Sequence, residues 1–237
     1  MRIIDIHAHV LPGVDDGSRS MAESMRLLAA ANVQGIQKVI ATPHYSRKRG
    51  SEGYEELVEQ LRARIKKSRL DVELYLGQET FYHDGLAEAL LAGKALTLAG
   101  SQYVLVEFQP TVPYQVLYQG LRKITQAGFT PVVAHVERYA CLRKPDHFRE
   151  IASCKYCLQM NYDSLAGHFW NSSVRWCRER IKRGEIHMLA TDMHRKDWRR
   201  PDLEKPMKWL EKNVDSKLLA DLTYNNPLAV INNERIR

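Results

Sequence analysis

The sequence predicts an α/β barrel, and three observations lead there. The chain has 237 residues, a length at which such a barrel forms as one domain. Short apolar runs alternate with amphipathic segments along most of it, and nearly every apolar run ends in a histidine, an acid or an amide. In a βα barrel the carboxyl ends of the strands meet on one face, where active sites are built. A repeated polar residue at that position is therefore a site written piecemeal.

The first strand is Ile3-Ile4-Asp5-Ile6-His7-Ala8-His9, followed by the acidic turn Val14-Asp15-Asp16-Gly17. Residues at i and i+2 of a strand share a face, so His7 and His9 can reach one ion if the strand holds through His9. Ser20-Met21-Ala22-Glu23 has the form of a capping box, and Met21, Met25, Leu28 and Ala29 continue at helical spacing towards Gly35. Strand two, residues 38–41, ends at Thr42-Pro43-His44, and a basic loop follows at Arg47 to Ser51. An amphipathic helix over 54–69 carries Leu57, Leu61 and Ile65 on one side. Strand three, 72–76, runs into Gly77-Gln78-Glu79.

A short helix over 86–91 leads to strand four, 103–108, where Glu107 is an acid closing a buried-looking run and needs a partner. A helix over 114–127 precedes strand five, 130–134, which ends at His135-Val136-Glu137-Arg138-Tyr139. Strand six, 157–160, ends at Asn161, which is placed to orient a ligand or a substrate. A helix over 170–183 stops at Gly184, and strand seven, 187–190, delivers Thr191-Asp192-Met193-His194. The last quarter reads as helices over 203–213 and 217–224, closing near Asn226-Pro227, with Trp209 and Leu210 packed on the barrel.

The collected groups are His7, His9, Asp16, His44, Glu79, Glu107, His135, Asp192 and His194, more donors than one ion can use, so two or three metals are expected. Imidazole and carboxylate without thiolate suit manganese, zinc, iron or cobalt. His83, His147, His168 and His187 lack the strand-end pattern and read as structural. The four cysteines form no disulfide framework. Cys154-x-x-Cys157 has no second pair, and Cys157 opens a strand. Cys177-x5-Arg183 matches the spacing of a thiolate phosphate loop, but the intervening residues contain no glycine and sit in a helical pattern, so a thiol mechanism is not expected.

Hydrophobic content of 44% and charged content of 27% are those of a globular protein, with no bilayer-length apolar run and no signal-like start, which places it in the cytoplasm. The net charge of +7 favours acidic partners.

Asp5-Ile6-His7-Ala8-His9, Val14-Asp15-Asp16-Gly17, Thr42-Pro43-His44, Val106-Glu107-Phe108, His135-Val136-Glu137-Arg138-Tyr139 and Asp192-Met193-His194 together resemble the metal-dependent protein-tyrosine phosphatases of bacterial capsule and exopolysaccharide loci, within the polymerase-and-histidinol-phosphatase superfamily. The resemblance runs in order along nearly the whole chain. It implies a distorted, TIM-like seven-stranded barrel forming a single domain over residues 1–237, and three metals, commonly manganese. Carried over by position, it implies His7, His9, Glu79 and Asp192 on one ion, Glu79, Glu107 and His135 on a second, and Asp16, His44 and His194 on the third. Gln78 stands where relatives have a small residue, which puts the seating of Glu79 in question, and the last loop offers both Arg199 and Arg200 where one phosphate-facing arginine is expected.

The implied reaction is attack of a metal-held hydroxide on phosphorus, with Arg138, and Arg199 as second contact, neutralising the phosphoryl oxygens. The implied substrate is the phosphotyrosine tail of a bacterial tyrosine autokinase, which would place the chain at most peripheral to a membrane kinase, with no nucleic-acid partner. Three other readings stay open here: a phosphoesterase of the same superfamily acting on histidinol phosphate or nucleotides, a metal-dependent amidohydrolase, and a catalytically silent kinase-binding module. No lysine at a strand end supplies the carbamate bridge an amidohydrolase would use.

Overall fold

Strands that are buried on both faces read as continuous apolar runs, and here they pair in parallel with helices between them. The computed structural model describes residues 2–45 and 50–236. The expected basic loop at Arg47 lies largely outside the described residues. The elements run β1 (Ile3–Ala8), α1 (Met21–Val33), β2 (Ile36–Ala41), α2 (Tyr54–Ser68), β3 (Glu73–Leu76), β4 (Glu79–Phe81), α3 (Leu86–Leu91), β5 (Tyr103–Glu107), α4 (Tyr114–Gln126) and β6 (Thr130–Val133). They continue with α5 (Pro145–Ser153), β7 (Cys157–Asn161), α6 (Ser172–Lys182), β8 (Met188–Ala190), α7 (Glu204–Asn213), α8 (Ser216–Ala220) and α9 (Asn226–Ile231).

The expected distorted seven-stranded barrel is corrected on two points. Among the described residues there are eight strands, and they form two parallel sheets, β1-β2-β3 and β4-β5-β6-β7-β8. The extra strand comes from a break in what reads as strand three. A side chain at Gly77 would lie 2.8 Å from Ile40 Cγ2 and 3.0 Å from Leu98 Cδ2, so the chain turns at its tightest point. β3 stays on β2 while β4 re-emerges on β5. The two sheets touch through single bridges, His44 to Glu79 and Ala8 to Met193. One bridge joins two candidate site residues, and the other joins the residues between His7 and His9 and between Asp192 and His194.

A second irregularity decides which way the first histidine faces. Along β1 and β2, Asp5 pairs with Val39 but Ala8 pairs with Ala41, three steps against two. That extra residue is a β-bulge, and it inverts the alternation. Ile4 and Ile6 therefore join Leu105, Val132, Ala134 and Met188 in a core that draws on both sheets, while Ile3 and Ala8, of opposite parity, both pack with the helices. His7 is turned to the same side as Gln159 of β7, 3.2 Å away.

The helices follow their expected pattern with local differences. Ser20 caps α1 by accepting the Glu23 N–H, while the Glu23 carboxylate reaches one residue further, to the Arg19 N–H at 2.9 Å. α5 was not expected; it opens on Pro145, whose missing N–H costs nothing at a first turn, and it buries Phe148 and Ile151. The last helix does not close at Pro227. Asn226 donates to Asp221, five residues back, in a widened turn that admits the proline, and α9 runs on to Ile231. Leu210 is buried and Trp209 partly so, as expected of the α7 face.

Because Gly77 is wedged against Ile40 and Leu98, Gly77→Ala is expected to overpack the break and destabilise the fold by about 1–3 kcal/mol, read as a lowered midpoint in thermal or urea unfolding.

Candidate metal centre

All nine candidate donors meet in one cluster, with Glu79, the first residue of β4, at its centre. Its Oε2 lies 3.2 Å from both His7 Nε2 and His9 Nε2 and 3.1 Å from His44 Nδ1, and its Oε1 lies 2.9 Å from His135 Nε2. Asp192 Oδ1 faces the same two nitrogens, at 3.4 Å from His7 and 3.5 Å from His9. Glu107 is 3.5 Å from His135 and 3.4 Å from His44. Asp16 is 3.4 Å from His44 Nε2 and 3.6 Å from His194 Nε2.

His44 differs from its single expected place, because its two ring nitrogens face different groups: Nδ1 the Glu79–Glu107 pair and Nε2 Asp16. His9 is likewise shared, stacked on His194 at 4.0 Å and gathered with Asp16, His44 and His194 as well as with His7 and Glu79.

Hydrogen bonding on the far side of each ring tests whether a cation fits. His9 Nδ1 is 2.8 Å from Asp15, His7 Nδ1 is 3.2 Å from the Gln159 amide oxygen, and His194 Nδ1 is 2.8 Å from the Asp192 carbonyl. Each of those partners accepts, so each ring donates there and presents an Nε2 lone pair to the cluster. The His7 and His9 nitrogens then stand 3.2 Å apart, facing each other and two carboxylates, and His194 Nε2 is buried without a hydrogen-bond partner. Acceptors converging on acceptors are held apart by repulsion unless a cation lies between them. The donor set fits divalent ions with borderline preferences.

A supporting layer stands behind the donors, and Asn161, expected to orient a ligand or a substrate, belongs to it. Asp15 accepts from His9, from the Gly17 N–H at 2.9 Å and from the His44 N–H at 3.0 Å, so one carboxylate sets two donors and the turn between them. Gly17 is needed because a Cβ there would lie 2.3 Å from the His9 carbonyl. Asp5, buried beneath the site, accepts from the His7 N–H and from the Thr191 N–H and hydroxyl, and burial pushes it up to about 6. Gln159 accepts from the His135 N–H at 2.8 Å and donates to Asn161, whose amide donates to Asp192 Oδ2 at 3.0 Å. Asp5, a buried acid two residues before His7, and Asn161 at a strand end are the readable signals of this layer.

In the stretch 135–139, His135 supplies a donor and Arg138 reaches Asp192 Oδ2 at 2.5 Å. Glu137 accepts from the Asn161 N–H and Ser164, and the Tyr139 hydroxyl accepts from the Phe108 N–H at 3.1 Å. Arg199 also approaches Asp192 Oδ2, at 3.4 Å, whereas Arg200 is 72% exposed and turned to Asp202. Gln78 points away from the cluster, its oxygen accepting from the Leu96 N–H, so Glu79 is seated undisturbed. His135, Asp192 and Arg199 all have left-handed backbone, with φ of 34°, 52° and 52°. Such conformations are costly for residues with a Cβ and are found at functional sites.

The remaining histidines are held elsewhere: His83 stacks on Tyr45, His147 on Tyr114 and His168 on Trp170, and His187 accepts from the Leu158 N–H. Cys177 is buried in α6, and burial pushes its thiol up to about 12. No helix among the described residues is long and apolar enough to cross a membrane.

The profile of the family described as capsular polysaccharide synthesis, CpsB/CapC, matches residues 3–232, and the chain belongs to that family. It is 30% identical to the tyrosine-protein phosphatase CpsB of Streptococcus pneumoniae, over 99% of this chain and 100% of that protein. It is 30% identical to the tyrosine-protein phosphatase YwqE of Bacillus subtilis, over 97% and 92%. A solved structure from the work on YwqE and CpsB, described as unique metal-dependent tyrosine phosphatases, superposes with a TM-score of 0.89 at 28% identity, covering 99% of this chain and 96% of that one.

Without a cation, protons take its place. Burial opposes a charge on His9, but Asp15 and Glu79 outweigh it and raise the ring to about 10; His135, likewise opposed by burial, is raised by Glu107 and Glu79 to about 9. Burial and the neighbouring His9 charge press His194 down to about 4. A metal ion must displace the protons of His9 and His135, so its apparent affinity is expected to rise with pH until about 9 to 10. Calorimetric titration of metal-stripped protein at pH 7.5 in buffers of different ionisation enthalpy is expected to show net proton release; a buffer-independent heat would contradict it.

Proposed function

We propose that this chain is a metal-dependent protein-tyrosine phosphatase in which the nine clustered residues hold two or three divalent cations, manganese foremost, and Arg138 and Arg199 bind the phosphoryl group. The observation that carries the reading is the pair of guanidinium groups converging on Asp192 Oδ2, beside a donor cluster, in a chain of a family whose full-length relatives are named tyrosine phosphatases. His7, His9, Glu79 and Asp192 would hold one ion, Glu79, Glu107 and His135 a second, and Asp16, His44 and His194 the third, with Glu79 between the first two. His44 is placed to serve the second and third together.

Ions bound there supply water activated near neutral pH and charge to offset the phosphoryl oxygens. The chain's own part is positioning. Asp192 turns Oδ1 to the imidazoles and Oδ2 to Asn161, Arg138 and Arg199, so the arginines are aimed before any anion arrives. A guanidinium has five N–H donors, and Arg138 donates through one nitrogen to Asp192, which leaves others to grip an anion. Tyrosine departs as a phenolate of pKa about 10, a better leaving group than an alkoxide, so no dedicated general acid is required.

The proposed substrate is the tyrosine-bearing tail of a bacterial autokinase that governs capsule or exopolysaccharide assembly, met in the cytoplasm by one phosphatase domain spanning the chain. The net charge of +7 draws an acidic tail by an attraction that weakens with salt. Against an amidohydrolase, no lysine among the described residues pairs with a cluster carboxylate.

Metal-stripped protein is expected to regain phosphotyrosine hydrolysis with manganese and to favour it over phosphoserine, histidinol phosphate and nucleotides. Dominance of one of the latter would keep the centre and replace the substrate, and metal binding without hydrolysis would favour a binding module. Arg138→Ala is expected to lower turnover about 10²–10³-fold with metal content intact, as for loss of one charge-stabilising donor; unchanged turnover would sink its assignment. Cys177→Ser is expected to retain full activity, because a buried thiol raised to about 12 carries almost no thiolate at neutral pH.

A further inference from the structure

The loop after β8 turns back on itself and presents one aromatic ring to the metal centre. The His194 N–H donates to the Arg199 carbonyl at 3.0 Å and the Arg195 N–H to the Trp198 carbonyl at 2.9 Å, which closes a hairpin with Lys196 and Asp197 at its tip. The hairpin is bolted to the opposite loop: Arg195 Nε donates to the Asp16 carbonyl at 2.7 Å, and Arg19 reaches Asp197 at 3.4 Å. Trp198 is thereby held edge-on to His194, with ring centres 4.9 Å apart, and the Arg199 guanidinium lies 4.5 Å from its ring. Even so, 44% of this residue is open to solvent.

A large apolar ring kept exposed on a braced turn, between a candidate metal ligand and a phosphate-facing arginine, has no packing role that accounts for its exposed face. We propose that Trp198 reads the aromatic ring of the substrate and so sets the preference for aryl over alkyl phosphates. The inference rests on the phosphatase reading above. In an aryl phosphate the ring begins one ester oxygen from phosphorus, so a phosphoryl group gripped by Arg199 carries its ring to the neighbouring residue of the same turn. A serine ester brings only a methylene to that place and leaves the indole wet. Aromatic rings meet favourably in offset or edge-to-face arrangements, and tryptophan offers the largest surface for this.

The competing account is that Trp198 serves only to steady Arg199 and His194, in which case it would support every phosphoryl ligand equally. Binding of benzylphosphonate, whose methylene stands in for the ester oxygen, ethylphosphonate and inorganic phosphate to the metal-loaded wild type, Trp198→Ala and Trp198→Phe separates the two. Trp198→Ala is expected to weaken benzylphosphonate about two- to tenfold, the range of an aromatic pair, with ethylphosphonate and phosphate unchanged and Trp198→Phe restoring most of the loss. In turnover the same change should raise KM for a phosphotyrosine peptide more than it lowers kcat. Equal weakening of all three ligands, no weakening of any, or a wild type that binds benzylphosphonate no better than ethylphosphonate would overturn the proposal. Unchanged phosphate binding shows that the variant site is folded. If the wild type prefers the aryl ligand yet hydrolyses no phosphotyrosine, the phosphatase reading fails while the ring contact stands.

Discussion

A carboxylate taken out of water must be compensated, and Glu79 sits among four imidazoles that come from the ends of three strands, β1, β2 and β6. Glu79 opens the strand that begins the five-stranded sheet, while His7, His9 and His44 belong to the three-stranded side. Among the described residues the two sheets share two isolated bridges, and side-chain chemistry at the centre adds to the apolar core of Ile4, Ile6, Leu105 and Val132 in holding them in register.

Around that centre the chain uses fixed geometry in place of adaptable contacts. His135, Asp192 and Arg199 sit in left-handed backbone, and each is tied down: the His135 N–H to Gln159, the Asp192 N–H to the His7 carbonyl, the Arg199 carbonyl to the His194 N–H. The local cost of these conformations is offset by hydrogen bonds that cross from one strand end to the next. Asp15 and Asp5 play the same part, one orienting the His9 ring and the other locking the His7 backbone to Thr191.

The strands were legible because buried parallel strands are written as unbroken apolar runs, and the donors because each stands directly after one. The supporting layer was not, since Asp15, Gln159 and Glu137 act through partners brought near only by folding; Gln159 and its partner His135 are 24 residues apart. The break between β3 and β4 was carried by Gly77, but a glycine before a site residue reads equally well as a turn or as a close approach. α5 had readable signals in Pro145, Phe148 and Ile151 that were passed over, while the passage of α9 beyond Pro227 depends on a widened turn that a helix-stop rule does not foresee. Arg199 and Arg200 are equivalent on paper; only the hairpin of the last loop turns one to Asp192 and the other to Asp202.

The bulge in β1 has a consequence for how such a centre can be gained or lost. His-x-His faces the metal side because three residues of β1 span the space of two on β2. Deletion of Ile6 would remove the extra residue and turn the first imidazole to the other face of β1, with every donor still encoded. A change of one residue in chain length, with no side chain exchanged, is thus enough to undo the donor arrangement.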